Sequence, residues 1–240
     1  MSVLIFGASG GVGEALARRL SKKGEDVFLT ARKTGDVKEL ADELDAGYAE
    51  CDVLDDGAVQ SAVEEAAGRG DLTGLAFAAG SIDLAPLKKI DRDAMRKSFE
   101  LNAVSAAMAL KAAEKPLKDA GGSAVLFSTV AVSQGFMSHG IISAAKGAVE
   151  GLTRAVAAEW APKARVNAIA PSLLDTGIAQ PILSSDKMRE SIAQMHAIER
   201  IGTPDDAAAA AEFLLSADSG WITGQVMPVD GGRSRVRSKG

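Results

Sequence analysis

The chain has 240 residues, 47% hydrophobic and 25% charged, enough to bury a full core and unlike a disordered or low-complexity chain. Its 27 Lys and Arg against 32 Asp and Glu leave a net charge of −5, which argues against nucleic acid as the main partner. One cysteine, Cys51, and two histidines, His139 and His196, exclude an intrachain disulfide and a cysteine metal cluster, so no metal is expected; no apolar run approaches the roughly 20 residues of a membrane span.

Apolar strand-like runs alternate with helical stretches, with no Pro/Gly/Ser linker and no internal repeat. The first strand, Val3–Phe6 in "SVLIF", begins without the basic segment and cleavage site of a signal peptide, so a cytoplasmic protein is expected. It runs into "GASGGVGEALARRL", where Gly7, Gly11 and Gly13 keep the spacing G-x-x-x-G-x-G ahead of an amphipathic helix. Glycines there let the backbone turn tightly and approach a pyrophosphate, while free N–H groups at the helix N-terminus face the phosphates. Gly7, Ser9, Gly10, Gly11, Val12 and Gly13 are therefore read as a dinucleotide-binding turn.

The second strand, Val27–Thr30, ends in "LTARK". A carboxylate at this place binds the ribose hydroxyls of NAD. Here Ala31 is followed by Arg32 and Lys33, and the planar donors of Arg32 suit a 2′-phosphate, so NADP is expected in preference to NAD. After the third strand, Tyr48–Cys51, come Asp52 and Val53; Asp52 is placed to bond the adenine edge, and Asp55 to cap the helix in "LDDGAVQSAVEEAA". Further strands are expected at Leu75–Ala78, Ala124–Phe127, Val166–Ile169 and Gln225–Pro228, all short, continuous and apolar, as in a parallel sheet buried on both faces. Before the last, "TPDDAAAAAEFLL" offers Thr203 as a cap, Pro204 at the first helical position and two acids at the positive end of the dipole. The pattern is α/β, a single doubly wound domain over residues 1–240 whose ligands bind beyond the carboxyl ends of the strands. The tail "RSRVRSKG", with Arg233, Arg235, Arg237 and Lys239, reads as a solvated or disordered end.

Taken in order, "GASGGVG", "CDV", "AAG" at 78–80, Asn102 in "ELNAVSA", "LFSTVAV", "AAKGAVEGLTRAVAAEWAP", "RVNAIAP" and "RIGTPDD…WITGQVMPVDGG" resemble the short-chain dehydrogenase/reductase family over nearly the whole chain. The resemblance implies a Rossmann-like, seven-stranded parallel sheet with helices on both faces and a nicotinamide cofactor. It implies a homodimer or homotetramer built partly on the long helices around residues 100 and 150; a small-molecule substrate is expected, and the charge and the absence of a spanning run leave no nucleic-acid or membrane partner expected. It adds Ala79, Gly80, Pro171, Thr176 and Lys146 to the cofactor contacts, with Thr176 at the position that normally bonds the nicotinamide carboxamide.

The usual family tetrad is Asn, Ser, Tyr, Lys. By position Asn102 matches the Asn, Lys146 the Lys, and Thr129 the Ser, with Ser128 just ahead. Ile142 stands where the tyrosine belongs, and Tyr48, the sole tyrosine, lies in the third strand. Phe6 replaces the threonine before the first glycine, "FAAG" at Phe77–Gly80 replaces "NNAG", and Ser172 replaces the glycine after Pro171. In the family the tyrosine handles the proton and the lysine lowers its pKa and bonds the nicotinamide ribose. An isoleucine exchanges no proton, and general acid–base catalysis is worth about 10²–10⁴-fold. Three readings stay open. In the first, the donor is displaced to His139, which shares a face with Ile142 and Lys146 if the helix starts early. In the second, water or the Thr129/Ser128 pair serves a less demanding redox step. In the third, the chain is a catalytically silent NADP(H)-binding sensor or interaction module. A substrate lid is expected at about 178–197, with Ile182, Met188 and Met195 flooring an apolar pocket and Phe136 and Met137 beside it, which favours a modestly apolar carbonyl, alcohol or enoyl substrate. His196 reads as a packing or surface residue.

Overall fold

In the computed structural model, which describes residues 2–237, the strands are β1 (Ser2–Phe6), β2 (Asp26–Ala31), β3 (Gly47–Glu50), β4 (Leu72–Phe77), β5 (Ser123–Phe127), β6 (Arg165–Pro171) and β7 (Val226–Val229). All pair in parallel in one sheet of order β3-β2-β1-β4-β5-β6-β7, which bears out the expected seven-stranded, doubly wound architecture. Strand order reverses between β1 and β4, and the carboxyl ends of these two strands open the crevice where such sheets bind ligands. β4 begins earlier than its apolar run. Thr73 extends it by accepting the Ser2 N–H on its hydroxyl (3.1 Å), and Gly74 admits Val3, since a Cβ there would lie 2.8 Å from Val3 Cγ2.

The helices are α1 (Gly11–Lys22), α2 (Lys38–Leu44), α3 (Asp56–Gly68), α4 (Arg92–Phe99), α5 (Ser105–Asp119), α6 (Gly140–Trp160), α7 (Asp186–Ala193) and α8 (Pro204–Leu215). Side chains of β1 alternate between two cores, as the pleat requires. Leu4 and Phe6 meet α3, α5 and α6 on one face, while Val3 and Ile5 meet α1, α2 and α8 on the other. Across α1 and α8 the buried Glu212 carboxylate accepts from Arg19 Nε at 2.6 Å and pairs with Lys23. Between α4 and α5 the helix widens for one π-turn, Glu100–Val104, and the Ser105 hydroxyl donates to the Glu100 carbonyl (2.9 Å).

The tail departs from the sequence expectation. Arg233 is half-buried, because Gly231 and Gly232, at φ 58° and 86°, turn the chain back after β7 and Asp230 accepts the N–H groups of Gly232 and Ser234 (2.9 and 2.8 Å). Arg235 and Arg237 are exposed, and Lys239 lies outside the described residues.

At α8 the Thr203 hydroxyl accepts the Asp206 N–H (3.3 Å) and the Asp206 carboxylate accepts the Thr203 N–H (2.7 Å), a reciprocal cap that Arg200 braces through two bonds of 2.6 and 2.7 Å. Thr203→Ala should lower stability by about 1 kcal/mol in urea denaturation. Arg200, then the Thr203 groups, hold the Asp206 carboxyl well below its usual range against its partial burial. A depressed carboxyl stabilises above the ordinary carboxylate pKa and loses that contribution as pH falls. The deficit of Asp206→Asn against wild type should therefore be full at pH 7 and shrink progressively below about pH 4.

Candidate functional site

The glycine turn is built on contact. Gly7 has φ 78°, and a Cβ on it would lie 2.7 Å from the Ala79 nitrogen; one on Gly13 would lie 2.4 Å from the Gly7 carbonyl oxygen. Gly10 caps α1 without a side-chain bond, so the first N–H groups of the helix, Gly11 to Gly13, have no backbone acceptor among the described residues. With the dipole behind them they form an anion seat, and Ser9 and Gly10 are exposed at its rim. Thr176, in the segment after β6, closes the turn: its Cγ2 lies 3.1 Å from where a Gly11 side chain would begin. Arg32 projects exposed from the end of β2, with no ion pair among the described residues, while Glu50 at the end of β3 accepts the Thr34 N–H (3.4 Å). Asp52 is exposed and accepts the Leu54 N–H (3.0 Å), Val53 is buried, and Asp55 caps α3 by accepting from Gly57 and Ala58 (2.8 and 3.2 Å).

Further along the same edge, Asn102 is buried in the π-turn. Its amide nitrogen donates to the Ser98 carbonyl (2.9 Å) and the Ser81 hydroxyl (3.0 Å), and its Oδ1 accepts the Ser81 N–H (3.2 Å). The Ser81 hydroxyl in turn donates to Asp83. Lys146 lies on the buried face of α6 and reaches the same point: a Cβ on Gly80 would lie 2.7 Å from Asn102 Oδ1 and 3.2 Å from Lys146 Nζ. No ion pair or hydrogen bond holds that ammonium among the described residues, and burial pushes it down to about 8. Ser81 and Asp83 escaped the sequence reading, although Ser81 directly follows "AAG" and was open to notice.

The remaining candidates divide. The Ser128 hydroxyl is turned inward and donates to Glu150 of α6 (2.8 Å), whereas Thr129, half-buried, accepts the Ala131 N–H on its hydroxyl (3.3 Å). Ile142 is buried at 4% exposure. α6 starts at Gly140, one residue later than a shared helical face for His139 requires, because Ser138 takes φ 65° just ahead. His139 caps the helix, stacks edge-on against Phe136 (5.3 Å), and its Nδ1 bonds the Met137 carbonyl (2.8 Å). A carbonyl accepts only, so Nδ1 carries the hydrogen and Nε2 faces away from that bond.

Past Pro171, the segment 178–197 has an apolar cluster of its own, in which Ala179, Leu183 and Ile192 are joined by Leu173, Ile182 and Ile201. Ile182 packs there, while Met188 and Met195, expected in a pocket floor, are 45% and 52% exposed. The segment is pinned at both ends. Arg189 grips Asp175 through bonds of 2.8 and 3.1 Å, and buried His196 bonds the Ser172 hydroxyl with Nε2 and the Ile192 carbonyl with Nδ1 (both 2.8 Å).

Residues 7–234 match the family described as enoyl-(acyl carrier protein) reductase. The chain is 32% identical to the short-chain dehydrogenase/reductase SDRA of Arabidopsis thaliana, covering 95% of this chain and 92% of that protein. The chain belongs to the short-chain dehydrogenase/reductase family. It is also 32% identical to the 3-oxoacyl-[acyl-carrier-protein] reductase MabA of Mycobacterium tuberculosis, over 96% of this chain and 92% of MabA. The solved structure of ElxO with NADP bound superposes at a TM-score of 0.90, with 28% identity over 97% of this chain and 98% of ElxO. Short-chain dehydrogenase/reductases use NAD or NADP, and two features of this chain fit such a group: the uncapped turn fits a pyrophosphate, and the unpartnered ammonium of Lys146 fits hydroxyl oxygens of a ribose. No helix among the described residues is long and apolar enough to cross a membrane.

A buried cation without a counter-charge destabilises the cofactor-free protein. For a base whose folded pKa is depressed, the penalty is full below the folded value, about 8, and fades as pH rises to the ordinary 10.5. Lys146→Met should therefore stabilise the cofactor-free protein at pH 7, a gain that shrinks between pH 8 and 10.5. The same variant should bind NADPH more weakly. Urea denaturation at pH 7 and pH 10, with calorimetry for the cofactor, checks both; equal stability at pH 7 would show a solvated ammonium.

Proposed function

We propose that this short-chain dehydrogenase/reductase is an NADP(H)-dependent oxidoreductase, one domain over residues 1–240, acting on a small, modestly apolar carbonyl, alcohol or enoyl compound with a proton donor other than tyrosine. The observation that carries the reading is the unpartnered Lys146 ammonium beside Asn102, on the same sheet edge as the uncapped glycine turn. The cofactor supplies a hydride when bound. The N–H groups of Gly11, Val12 and Gly13 would hold its phosphates, and Lys146 would bind its nicotinamide ribose. Arg32, exposed and without an ion pair among the described residues, would take the 2′-phosphate; the NADP bound to ElxO supports that preference. Asp52, Val53, Ala79, Gly80, Pro171 and Thr176 complete the proposed contacts. The segment 178–197 is the lid.

For the proton, Ser128 Oγ is engaged by Glu150, which leaves Thr129 and His139. His139 is favoured, since its Nδ1 is tied to the Met137 carbonyl and Nε2 can hold or release a proton. A second reading draws on buried Ile142: a catalytically silent NADP(H) sensor. A homodimer or homotetramer fits the exposed aromatic rings of Phe99 and Trp221, at 44% and 101% exposure.

The test is NADPH and NADH oxidation against ketones, aldehydes and enoyl compounds. Turnover with NADPH preferred is expected, and Arg32→Asp should weaken or reverse the preference. His139→Ala should lower kcat roughly 10²-fold at unchanged NADPH affinity. A loss below about threefold passes the donor role to Thr129 or water. Tight NADPH binding with no turnover on any compound supports the sensor.

A further inference from the structure

We propose that Arg233 binds a carboxylate of the substrate, so that the compound acted on is a small oxo or hydroxy acid with an apolar stem. The statement of substrate class rests on the oxidoreductase reading; the anion site stands on its own geometry. The chain after β7 turns back so that Gln134 donates its amide to the carbonyls of Arg233 and Ser234 (3.3 and 3.5 Å). This sets the Arg233 guanidinium 4.4 Å over the ring of Phe136, in the loop between β5 and α6, and its Nη2 against Met195 Sδ (3.5 Å) in the proposed lid. The same Phe136 ring meets His139 on the loop that leads into the first turn of α6. Arg233 thus bridges two of the segments that would enclose a substrate.

A guanidinium carries five N–H donors, and here a thioether sulfur is the only partner they meet among the described residues. No carboxylate of the described residues lies within ion-pair distance. Asp230 attracts Arg233 from further off, but its oxygens are engaged by the N–H groups of Gly232 and Ser234. Burial opposes the charge and holds the group below its ordinary value. The donors that meet no protein partner stay open to solvent, where an anion can reach them. Stacking on Phe136 leaves the edge of the fork free for the bidentate geometry a planar carboxylate accepts. The neighbouring Phe136 and Met195 suit an apolar stem.

The full chain with saturating NADPH is titrated by calorimetry with hexanoate and, as the uncharged match, hexanamide. Hexanoate is expected to bind at least tenfold more tightly. Arg233→Gln should bring hexanoate down to the level of hexanamide and leave hexanamide unchanged, while Arg233→Lys should retain part of the difference. NADPH affinity, measured in each variant, should hold, which separates the anion contact from a merely structural strut. Equal binding of the two probes by wild type, or hexanoate binding unaltered in Arg233→Gln, overturns the anion site. Selective hexanoate binding in a protein that does not bind NADPH overturns the oxidoreductase reading and leaves the anion site standing.

Discussion

A side chain at position 7 would have to pass through the backbone of Ala79, and the whole carboxyl edge of the sheet follows from that closeness. It draws the first turn against the loop after β4, at the place where the strand order reverses, and aims α1 at the opening. It also explains why two departures from the family pattern occur together. Phe6 and Phe77 sit opposite each other in the register of β1 and β4, their ring centroids 5.8 Å apart and both buried. Where the family places two polar side chains, this chain has an aromatic pair. One large ring beside a small polar partner would leave a void or an unsatisfied group, so the exchanges stabilise each other.

The edge this creates holds two cations that the protein leaves without a carboxylate partner among the described residues. The chain is acidic, at −5, yet Lys146 beside Gly80 and Arg233 against Met195 each lack a carboxylate partner among the described residues. Such cations destabilise an empty fold and favour an occupied one, because a negatively charged guest supplies what the protein withholds. Several acidic side chains are engaged elsewhere. Glu212 joins α1 to α8, Asp206 caps α8, and Asp175 anchors the proposed lid to Arg189.

How much of this the sequence discloses depends on the range of the forces involved. The seven apolar runs, the glycine spacing and the Thr203 cap are local, and each is legible from a few consecutive residues. β4 begins at Leu72 instead of Leu75, because Thr73 and Gly74 fit only against Ser2 and Val3, some seventy positions away. The tail misleads for the same reason. Three arginines in eight residues read as solvated, yet Arg233 is held by Gln134, 99 positions earlier. His139 stands one residue outside α6, because Ser138 adopts a left-handed conformation that its residue type does not advertise. His196 reads as an ordinary packing residue, and it is buried; that it ties its segment to Ser172, in the place of a family glycine, needs the tertiary structure.

The π-turn has a consequence for how the chain can vary. It is a helix carrying one residue more than its hydrogen-bond ladder needs, and the surplus falls on Glu100–Val104, around Asn102. Since each helical residue advances the azimuth by roughly 100°, deleting Glu100 or Leu101 would let α4 and α5 fuse into a regular α-helix while swinging Asn102 away from Ser81 and Gly80. The more regular helix would be the one without its site. Length changes here are thus divided into two kinds: those that tidy the backbone and erase the asparagine's purpose, and those that keep the phase error and with it the amide that bonds Ser81.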